Sequence, residues 1–327
     1  MLCLGLASAC ESPEKGLELC SARGDSDGRV HVTCFAHRAD AIRIEDAASL
    51  SQTLAGTSGW TERWQYGEAL HFTDFNDDGL VDLCSARGNA EGHVDVACHN
   101  RQSGGRFADD ASFTQTLTGL SGWTDDWQYG EALHFADFNG DGRVDLCAVK
   151  GDAEGALDVS CFYRDSKDRF PDEPSFHQTL TGKTGWVDRW QYGEALHLVD
   201  INDDGRMDLC GVRGLEAQSG ALEVSCFLRD AGGGLPDAPS FEQTLAQGWN
   251  NRWQYGEAFH FTDMDGDGRL DLCGARGLGS GQLDLGCFFR KDDVSFQSPA
   301  GLHQSLTDQD MRWTDDWSYG EALHFTQ

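Results

Sequence analysis

Short runs in which apolar and polar residues alternate recur along the chain, separated by clusters of Gly, Asp, Asn and Ser. The clearest set comprises residues 68–72, 80–86, 93–99 and 112–117. In the first run Leu70 and Phe72 share one face of an extended strand, and Ala69 and His71 share the other. A period of two with turn residues between the runs is typical of short β-strands. The pattern predicts an all-β chain.

One phrase, Trp-Gln-Tyr-Gly-Glu-Ala-Leu-His, marks an internal repeat. It begins at Trp64, Trp127 and Trp190 and recurs with one substitution at Trp253 and Trp317, so that the starts are 63, 63, 63 and 64 residues apart. Each repeat contains four predicted strands. Five such units predict a five-bladed β-propeller of four-stranded blades.

The two ends of the chain correspond to different strands of the repeat. Residues 17–20 match a second strand, and residues 321–325 match a first strand. We therefore expect the N- and C-terminal segments to pair in one blade and to close a single propeller over residues 11–327. Residues 1–10 resemble the end of a secretion signal, and Cys10 resembles the lipidated cysteine of a bacterial lipoprotein. The expected protein is secreted or lipid-anchored at the bacterial cell surface.

Ten of the twelve cysteines form pairs, with one pair in each repeat. The predicted pairs are Cys20 with Cys34, Cys84 with Cys98, Cys147 with Cys161, Cys210 with Cys226, and Cys273 with Cys287. Four pairs are 14 residues apart and one is 16 residues apart, and each midpoint falls in a turn-like segment. This spacing predicts disulfides across β-hairpins, which persist in an oxidising compartment. Reduced core cysteines are the alternative, whereas zinc is disfavoured because no Cys-x-x-Cys motif occurs.

Four Asp-rich segments follow the first four copies of the repeated phrase, with oxygen donors at segment positions 1, 3, 5 and 9 and glycine at position 6. The donors are Asp74, Asn76, Asp78 and Asp82; Asp137, Asn139, Asp141 and Asp145; Asp200, Asn202, Asp204 and Asp208; and Asp263, Asp265, Asp267 and Asp271. This spacing suits Ca²⁺, although the bidentate Glu of an EF-hand is missing. We expect four structural calcium ions. Asx turns without a metal are the alternative.

At these segments the sequence resembles the FG-GAP/VCBS repeat family, whose blades carry Asp-Phe-Asn-Gly-Asp-Gly-Arg-x-Asp-Leu. Residues 137–146 read Asp-Phe-Asn-Gly-Asp-Gly-Arg-Val-Asp-Leu. The resemblance covers almost the whole chain and implies an integrin-like β-propeller with calcium in a loop of each blade. The family includes adhesion proteins, lectins and domains of secreted enzymes, so the resemblance does not fix the function.

The chain is strongly acidic, with 55 Asp and Glu residues against 25 Lys and Arg residues and a formal net charge of −30. Such a charge repels nucleic-acid phosphates and anionic membrane surfaces. No stretch approaches the roughly 20 apolar residues of a membrane-spanning helix. We therefore expect no nucleic-acid partner and no transmembrane segment.

The tryptophans occur in five Trp-x-x-x-Trp pairs. The pairs are Trp60 and Trp64, Trp123 and Trp127, Trp186 and Trp190, Trp249 and Trp253, and Trp313 and Trp317. They could pack between blades, or they could form repeated platforms on which sugars stack. The second interpretation predicts a multivalent lectin that binds glycans. A scaffold that binds cell-surface proteins is the alternative.

The recurrence of every notable polar residue argues against an enzyme, because catalysis needs a defined arrangement in one cleft. One route to metal-centred or channel-centred chemistry remains, through a histidine in the first strand of each blade. These residues are His71, His134, His197, His260 and His324. A ring of imidazoles on the propeller axis would suit a transition metal.

Overall fold

The computed structural model describes residues 16–24, 27–38, 40–57, 70–89, 91–119, 133–151, 156–182, 196–215, 221–246, 259–277, 282–291, 293–298, 300–306 and 323–326. Every helix or strand assigned within these ranges is a β-strand, and antiparallel pairing joins the strands into five sheets. The predicted all-β class is confirmed.

Blade 1 combines strands from both ends of the chain. Its strands are β1 (Glu18–Gly24), β2 (Val30–Arg38), β4 (Leu50–Leu54) and β21 (Leu323–Thr326), and the two-residue β3 (Arg43–Ile44) also pairs with β2. β21 pairs with β1, so that Phe325 lies opposite Leu19. The predicted pairing of the N- and C-terminal segments in one blade is confirmed.

Blades 2 to 5 each consist of four consecutive strands. Blade 2 contains β5 (Leu70–Thr73), β6 (Asp82–Gly88), β7 (Val94–His99) and β8 (Phe113–Leu117). Blade 3 contains β9 (Leu133–Ala136), β10 (Asp145–Gly151), β11 (Leu157–Phe162) and β12 (Phe176–Leu180). Blade 4 contains β13 (Leu196–Val199), β14 (Asp208–Leu215), β15 (Ala221–Phe227) and β16 (Phe241–Ala246). Blade 5 contains β17 (Phe259–Thr262), β18 (Asp271–Gly277), β19 (Leu283–Phe288) and β20 (Leu302–Leu306).

The second strand of blade 2 begins later than the alternating pattern predicts. The predicted run covers residues 80–86, whereas β6 begins at Asp82. Leu80 belongs to the preceding Asp-rich loop, because its backbone N–H donates to Oδ1 of Asp78 at 2.8 Å. Leu80 therefore belongs to the turn, although its apolar side chain continues the alternating pattern of the strand.

The first strand of each blade is the innermost, and in blade 1 this strand is β21, which pairs with β1. β5, β9, β13, β17 and β21 contact one another in a closed circle. Five clusters of buried apolar side chains lie between neighbouring blades; the cluster between blades 2 and 3 joins Val94 and Leu117 to Leu133 and Phe162. The hydrophobic core is therefore shared between blades.

The cross-strand register forms a radial row of side chains in each blade. In blade 2 the row runs from the innermost strand outward through His71, Cys84, Cys98 and Phe113. In all five blades the two cysteines of this row are buried and form a disulfide, with sulfur atoms 2.02 to 2.08 Å apart. The predicted cross-hairpin pairing is confirmed, including the pair whose spacing is 16 residues.

A glutamine in the fourth strand of each blade clamps the next blade. Its Nε2 donates to a backbone carbonyl at 2.6 to 2.9 Å, and its Oε1 accepts the N–H of the same residue at 2.8 to 3.1 Å. The pairs are Gln52 with Phe107, Gln115 with Phe170, Gln178 with Leu235, Gln243 with Phe296, and Gln304 with Ile44. The last pair joins blade 5 to blade 1 and adds a second closure to the β21–β1 pairing.

Replacing Gln304 with Leu removes both hydrogen bonds to the buried Ile44 and leaves its backbone N–H and C=O without these partners. We expect the free energy of unfolding to fall by about 2 to 4 kcal/mol, measured by urea denaturation. The exposed Gln102 provides the matched control, and Gln102→Leu should change stability by less than about 0.5 kcal/mol. Equal losses in the two variants would show that the clamp does not stabilise the ring.

Candidate functional site

The four Asp-rich segments fold into similar loops between the first and second strands of blades 2 to 5. In blade 2 the carboxylate of Asp74 accepts the backbone N–H groups of Asp78 at 3.1 Å and Gly79 at 2.8 Å. The equivalent aspartates of the other three loops accept the same two N–H groups at 2.8 to 3.1 Å. The first carboxylate therefore holds the backbone of its own loop in a defined turn.

Two positions in each loop have a left-handed backbone. Position 6 is glycine in all four loops, with φ between 80° and 88°. Position 4 has φ between 59° and 77° and is glycine in two loops and aspartate in the others, at Asp77 and Asp203. Glycine adopts this region without steric cost, and aspartate tolerates it better than most residues. The turn itself thus requires the glycine at position 6.

The aspartate at position 9 is buried beneath each loop, and these residues, Asp82, Asp145, Asp208 and Asp271, are at most 1% exposed. Asp82 accepts the N–H groups of Phe75 at 3.2 Å, Asn76 at 3.3 Å and Arg101 at 2.7 Å. Burial raises the pKa of the first three carboxyls to about 6 and that of the fourth to about 7, and nearby loop carboxylates add to the rise. A cation close to these carboxylates would favour their charged form.

The donor set of the loops fits a hard divalent cation. In blade 5 one carboxylate oxygen from each of Asp263, Asp265 and Asp267 lies within 4.8 Å of the other two. In blade 4 the carboxylate of Asp208 is buried and accepts hydrogen bonds from the backbone of Ile201 and Arg229. All four predicted ligand sets consist of carboxylate and amide oxygens, which Ca²⁺ prefers to nitrogen and sulfur. Among the described residues a cluster of three carboxylates is found in blade 5, and the ligand sets of the other three loops stay predictions.

The loops of blades 2 and 3 are each contacted by an arginine from the blade that follows. Nη1 of Arg164 donates to the carbonyl of Phe75, and the guanidinium lies 4.3 Å from the centre of the Phe75 ring. Arg229 makes the same two contacts with Phe138, at 3.9 Å from the ring centre. The backbone N–H of each arginine donates to the position 9 aspartate of its own blade. Neighbouring loops are therefore linked through single residues.

The arginines that correspond to Arg164 and Arg229 in blades 5 and 2 also contact the preceding blade. Arg290 of blade 5 pairs with Asp203 in the loop of blade 4 at 2.8 Å. Arg101 of blade 2 pairs with Glu18 of blade 1 at 2.6 Å, and both side chains are 15% exposed. Glu18 lies opposite Thr326 as Asp82 lies opposite Thr73, so it occupies the position 9 register in blade 1. A cleft of about 310 Å³ is lined by residues that include this ion pair.

The innermost strands place five histidines around the axis. Neighbouring ring centres are 5.2 to 6.4 Å apart in a closed circuit through His71, His134, His197, His260 and His324. Burial, and secondarily the neighbouring imidazoles, lowers the pKa of His71 to about 3 and holds the pKa values of His197 and His324 well below their usual range. These three imidazoles are therefore neutral at physiological pH.

Two sets of predictions lie outside the described residues. One is the set of tryptophans predicted to stack on sugars, namely Trp60, Trp64, Trp123, Trp127, Trp186, Trp190, Trp249, Trp253, Trp313 and Trp317. The other is the signal-like segment 1–10 with Cys10. The sugar platforms and the lipid anchor stay predictions.

The sequence interpretation missed the glutamine and arginine contacts between blades, although both leave a signal. Each clamping glutamine is followed by Thr-Leu or Ser-Leu, and each loop-contacting arginine stands three residues after the second cysteine of its repeat. These recurrences identify constrained positions. They do not reveal that the partner belongs to the adjacent repeat.

One family model matches part of the chain. Residues 74–148 match a family model described as an FG-GAP-like repeat, which confirms the resemblance over those residues. No curated protein matches the chain. A crystal structure of a candidate 6-phosphogluconolactonase from Bacteroides fragilis NCTC 9343 is similar, with a TM-score of 0.41, 14% identity, and coverage of 90% of this chain and 83% of that chain.

Cellular location follows from the disulfides. Five such bonds point to an extracytoplasmic protein, because disulfides persist in oxidising compartments. Among the residues that the structure describes, no helix is long and apolar enough to cross a membrane. An FG-GAP-like repeat within a β-propeller indicates a binding or adhesion module.

Replacing His71 with Gln should make the protein less sensitive to acid. Its folded pKa of about 3 lies below the unfolded value of 6.5, so the unfolded state binds more protons as the pH falls below 6.5. Wild-type stability should therefore be lost below pH 6.5, by at most about 1.4 kcal/mol per pH unit for each such histidine.

Urea denaturation of the wild type and of His71→Gln at about pH 7 and about pH 5 measures how much stability each protein loses in acid. The Asp-rich loops are the same in both proteins, so their contribution cancels in the comparison. His303→Gln is the control, because the His303 side chain is 69% exposed. It should retain the wild-type pH dependence. An unchanged acid response in His71→Gln would show that the ring does not titrate as described.

Proposed function

We propose that this protein is an extracytoplasmic, calcium-stabilised β-propeller that binds surface glycans through sites repeated in its blades. The observation that carries the proposal is the recurrence, blade after blade, of a preformed oxygen-donor loop beside a cross-hairpin disulfide. Such a construction stabilises a rigid ring with equivalent surfaces. Equivalent surfaces suit multivalent attachment.

Calcium is the cation that this proposal assigns to the loops. The donors at positions 1, 3, 5 and 9 are all oxygens, and the carbonyl at position 7 can complete the shell. The buried position 9 aspartates and the three clustered carboxylates of blade 5 are the groups that gain most from a cation. The ions are structural in this proposal, since the chain supplies most of the ligands.

Binding is favoured over catalysis because the polar groups repeat with the blades. The Asp-rich loop occurs four times, and the axial histidine and the clamping glutamine occur five times. A catalytic site needs a nucleophile, base or open metal position arranged in one defined cleft. Repetition instead allows several weak contacts to act together on a surface that carries many copies of the ligand.

Glycans are the proposed ligands because of the five Trp-x-x-x-Trp pairs. An indole face stacks on the apolar face of a sugar ring, and adjacent Gln and Glu side chains can hydrogen-bond to hydroxyl groups. Each pair precedes the first strand of a blade, so the proposed sites follow the symmetry of the ring. Attachment to a cell-surface protein is the outcome that would replace the glycan proposal.

Chelation of calcium should lower the melting temperature by several degrees, because the cation binds the folded loops and not the unfolded chain. The difference between the calcium-loaded and calcium-free melting temperatures should shrink as the pH falls from about 7.5 to about 5. The position 9 carboxyls have folded pKa values of about 6 to about 7, above the unfolded value of 3.8. Protons therefore stabilise the calcium-free fold in this range and compete with the ion.

Differential scanning fluorimetry with and without chelator measures both effects. Asp208→Asn should reduce the calcium-dependent gain in melting temperature, whereas Asp46→Asn, at an exposed position outside the loops, should leave it unchanged. A melting temperature that does not respond to chelation would exclude structural calcium.

A glycan array probed in calcium should reveal binding to at least one class of glycan, and chelation should weaken it by destabilising the ring. Trp64→Ala combined with Trp127→Ala should weaken binding more than either single change, because avidity depends on the number of intact sites. The single variants must keep the wild-type melting temperature. A complete absence of glycan binding by the calcium-loaded protein would favour a protein ligand.

A further inference from the structure

The proposed function does not use the cleft of about 310 Å³ at the junction of blades 1 and 2. Its lining includes Leu17, Glu18 and Thr326, where the innermost and second strands of blade 1 meet, and Arg101 from blade 2. In blades 2 to 5 an Asp-rich loop joins the innermost strand to the second strand. In blade 1 these strands are β21 and β1, which lie at opposite ends of the chain, so no such loop joins them. The cleft therefore lies where the other blades have their loop.

Arg101 is less covered than two of the arginines that occupy the same position in other blades. The side chains of Arg164 and Arg290 contact the loop of the preceding blade and are 2% and 4% exposed, whereas that of Arg101 is 15% exposed. Arg164 donates to the backbone carbonyl of Phe75. Among the described residues no carbonyl of blade 1 accepts from the side chain of Arg101. Since a guanidinium has five N–H donors, Arg101 can donate to a further acceptor.

Glu18 lacks hydrogen bonds that its equivalents receive from the loop. Asp145, at the corresponding position of blade 3, accepts the backbone N–H groups of Phe138 and Asn139, each at 3.1 Å. In the part of blade 1 that the structure describes, the carboxylate of Glu18 accepts only side-chain donors, the hydroxyl of Ser49 at 3.2 Å and the guanidinium of the cleft arginine at 2.6 Å. A carboxylate has about four lone-pair sites, so Glu18 can accept further N–H groups.

The loop that borders the cleft differs from the other three loops at position 7. Leu80 of blade 2 lines the cleft and is partly exposed. The other loops carry arginine there, and Arg143, Arg206 and Arg269 pair with the position 5 aspartate of their own loop at 2.5 to 3.3 Å. An apolar residue therefore stands at position 7 only in the loop that borders the cleft. This residue gives the cleft an apolar wall.

The Asp-rich loops show which chemistry fills this position in the other blades. In blade 3 the side chain of Phe138 is 1% exposed, its backbone N–H donates to Asp145, and its carbonyl accepts from Arg229. One residue thus satisfies an apolar pocket, a carboxylate and a guanidinium together. The cleft offers the same three partners, namely an apolar wall, the carboxylate of Glu18 and the guanidinium of Arg101. This combination is complementary to the side chain and backbone of a peptide.

We propose that the cleft binds a peptide segment of a partner protein through one aromatic residue, whose N–H donates to Glu18 and whose carbonyl accepts from Arg101. The aromatic side chain packs against Leu80 and Val81. The volume lies at the lower end of the range for ligand sites, so the cleft holds one anchoring residue and its neighbours. A loop fills the equivalent position in blades 2 to 5, so the ring presents this site once.

The test uses the full calcium-loaded chain and a fluorescein-labelled peptide that copies residues 73–79, Thr-Asp-Phe-Asn-Asp-Asp-Gly. Fluorescence anisotropy should show saturable binding. A peptide with Ala in place of Phe should bind at least about 10-fold more weakly, because a buried aromatic anchor carries much of the affinity. Equal affinity of the two peptides, or no binding of either, would overturn the proposal.

Leu80→Arg tests the location of the site. Three loops carry arginine at this position, so the change is compatible with the fold, and it places a charge in the apolar wall of the cleft. The peptide should bind this variant at least about 10-fold more weakly than the wild type. Arg143→Leu, the reverse change in the loop of blade 3, is the matched control and should keep the wild-type affinity. Equal affinity in all three proteins would place the peptide elsewhere and overturn the proposal.

A second measurement covers the case in which Leu80→Arg does not fold. A crystal structure of the wild-type chain with the peptide should show the Phe of the peptide in the cleft, with its backbone bonded to Glu18 and Arg101. Electron density for the N-terminal residues of the chain itself in the cleft, or for the peptide at another surface alone, would overturn the proposal. Neither measurement depends on glycan binding, so the failure of one proposal remains distinguishable from the failure of the other.

Discussion

Closure of the ring is the constraint on which the rest of this structure depends. The five buried clusters each lie between two neighbouring blades, so no blade can bury its faces alone. Two interactions join the C-terminal part of the chain to blade 1. The pairing of β21 with β1 completes a sheet, and Gln304 clamps Ile44 between blades 5 and 1. Because the clamp recurs at all five junctions, closure uses the same contact as every other step around the ring.

The disulfides stabilise single blades, whereas the Asp-rich loops stabilise the contacts between blades. Each disulfide joins two adjacent strands of one hairpin, where the chain-entropy model gives about 3 kcal/mol for a loop of this length. It fixes the register of a blade and does not join one blade to another. The Asp-rich loops act across junctions, because Arg164 and Arg229 reach from one blade to the loop of the previous blade. A cation that orders a loop therefore also orders the surface against which the next blade packs.

The sequence predicts features that lie within one repeat and fails at those that join two. Cysteines 14 or 16 residues apart, and oxygen donors within nine residues, reveal their partners through spacing alone. Gln115 bonds to a residue 55 positions away, and Arg164 to one 89 positions away, so each looks like an ordinary surface residue in its own unit. Glu18 escaped notice for a related reason. Its equivalence to Asp82 follows from pairing with Thr326, at the other end of the chain.

The axial histidines place a polar ring at each junction between the innermost strands. The radial row that begins at His71 continues through a disulfide to Phe113, all against the neighbouring blade, and an aromatic hydrocarbon could also pack at its inner end. Such a ring could not form the hydrogen bond that the imidazole of His197 makes with the backbone of Phe259 on the adjacent innermost strand. The chain instead places an imidazole there in five blades of five. Leaving Nε2 of His71, His197 and His324 buried without partners carries a cost of about 1 to 3 kcal/mol for each. At the junction of blades 4 and 5, where the Gln243 clamp also acts, the hydrogen bond of His197 with the backbone of Phe259 offsets part of that cost.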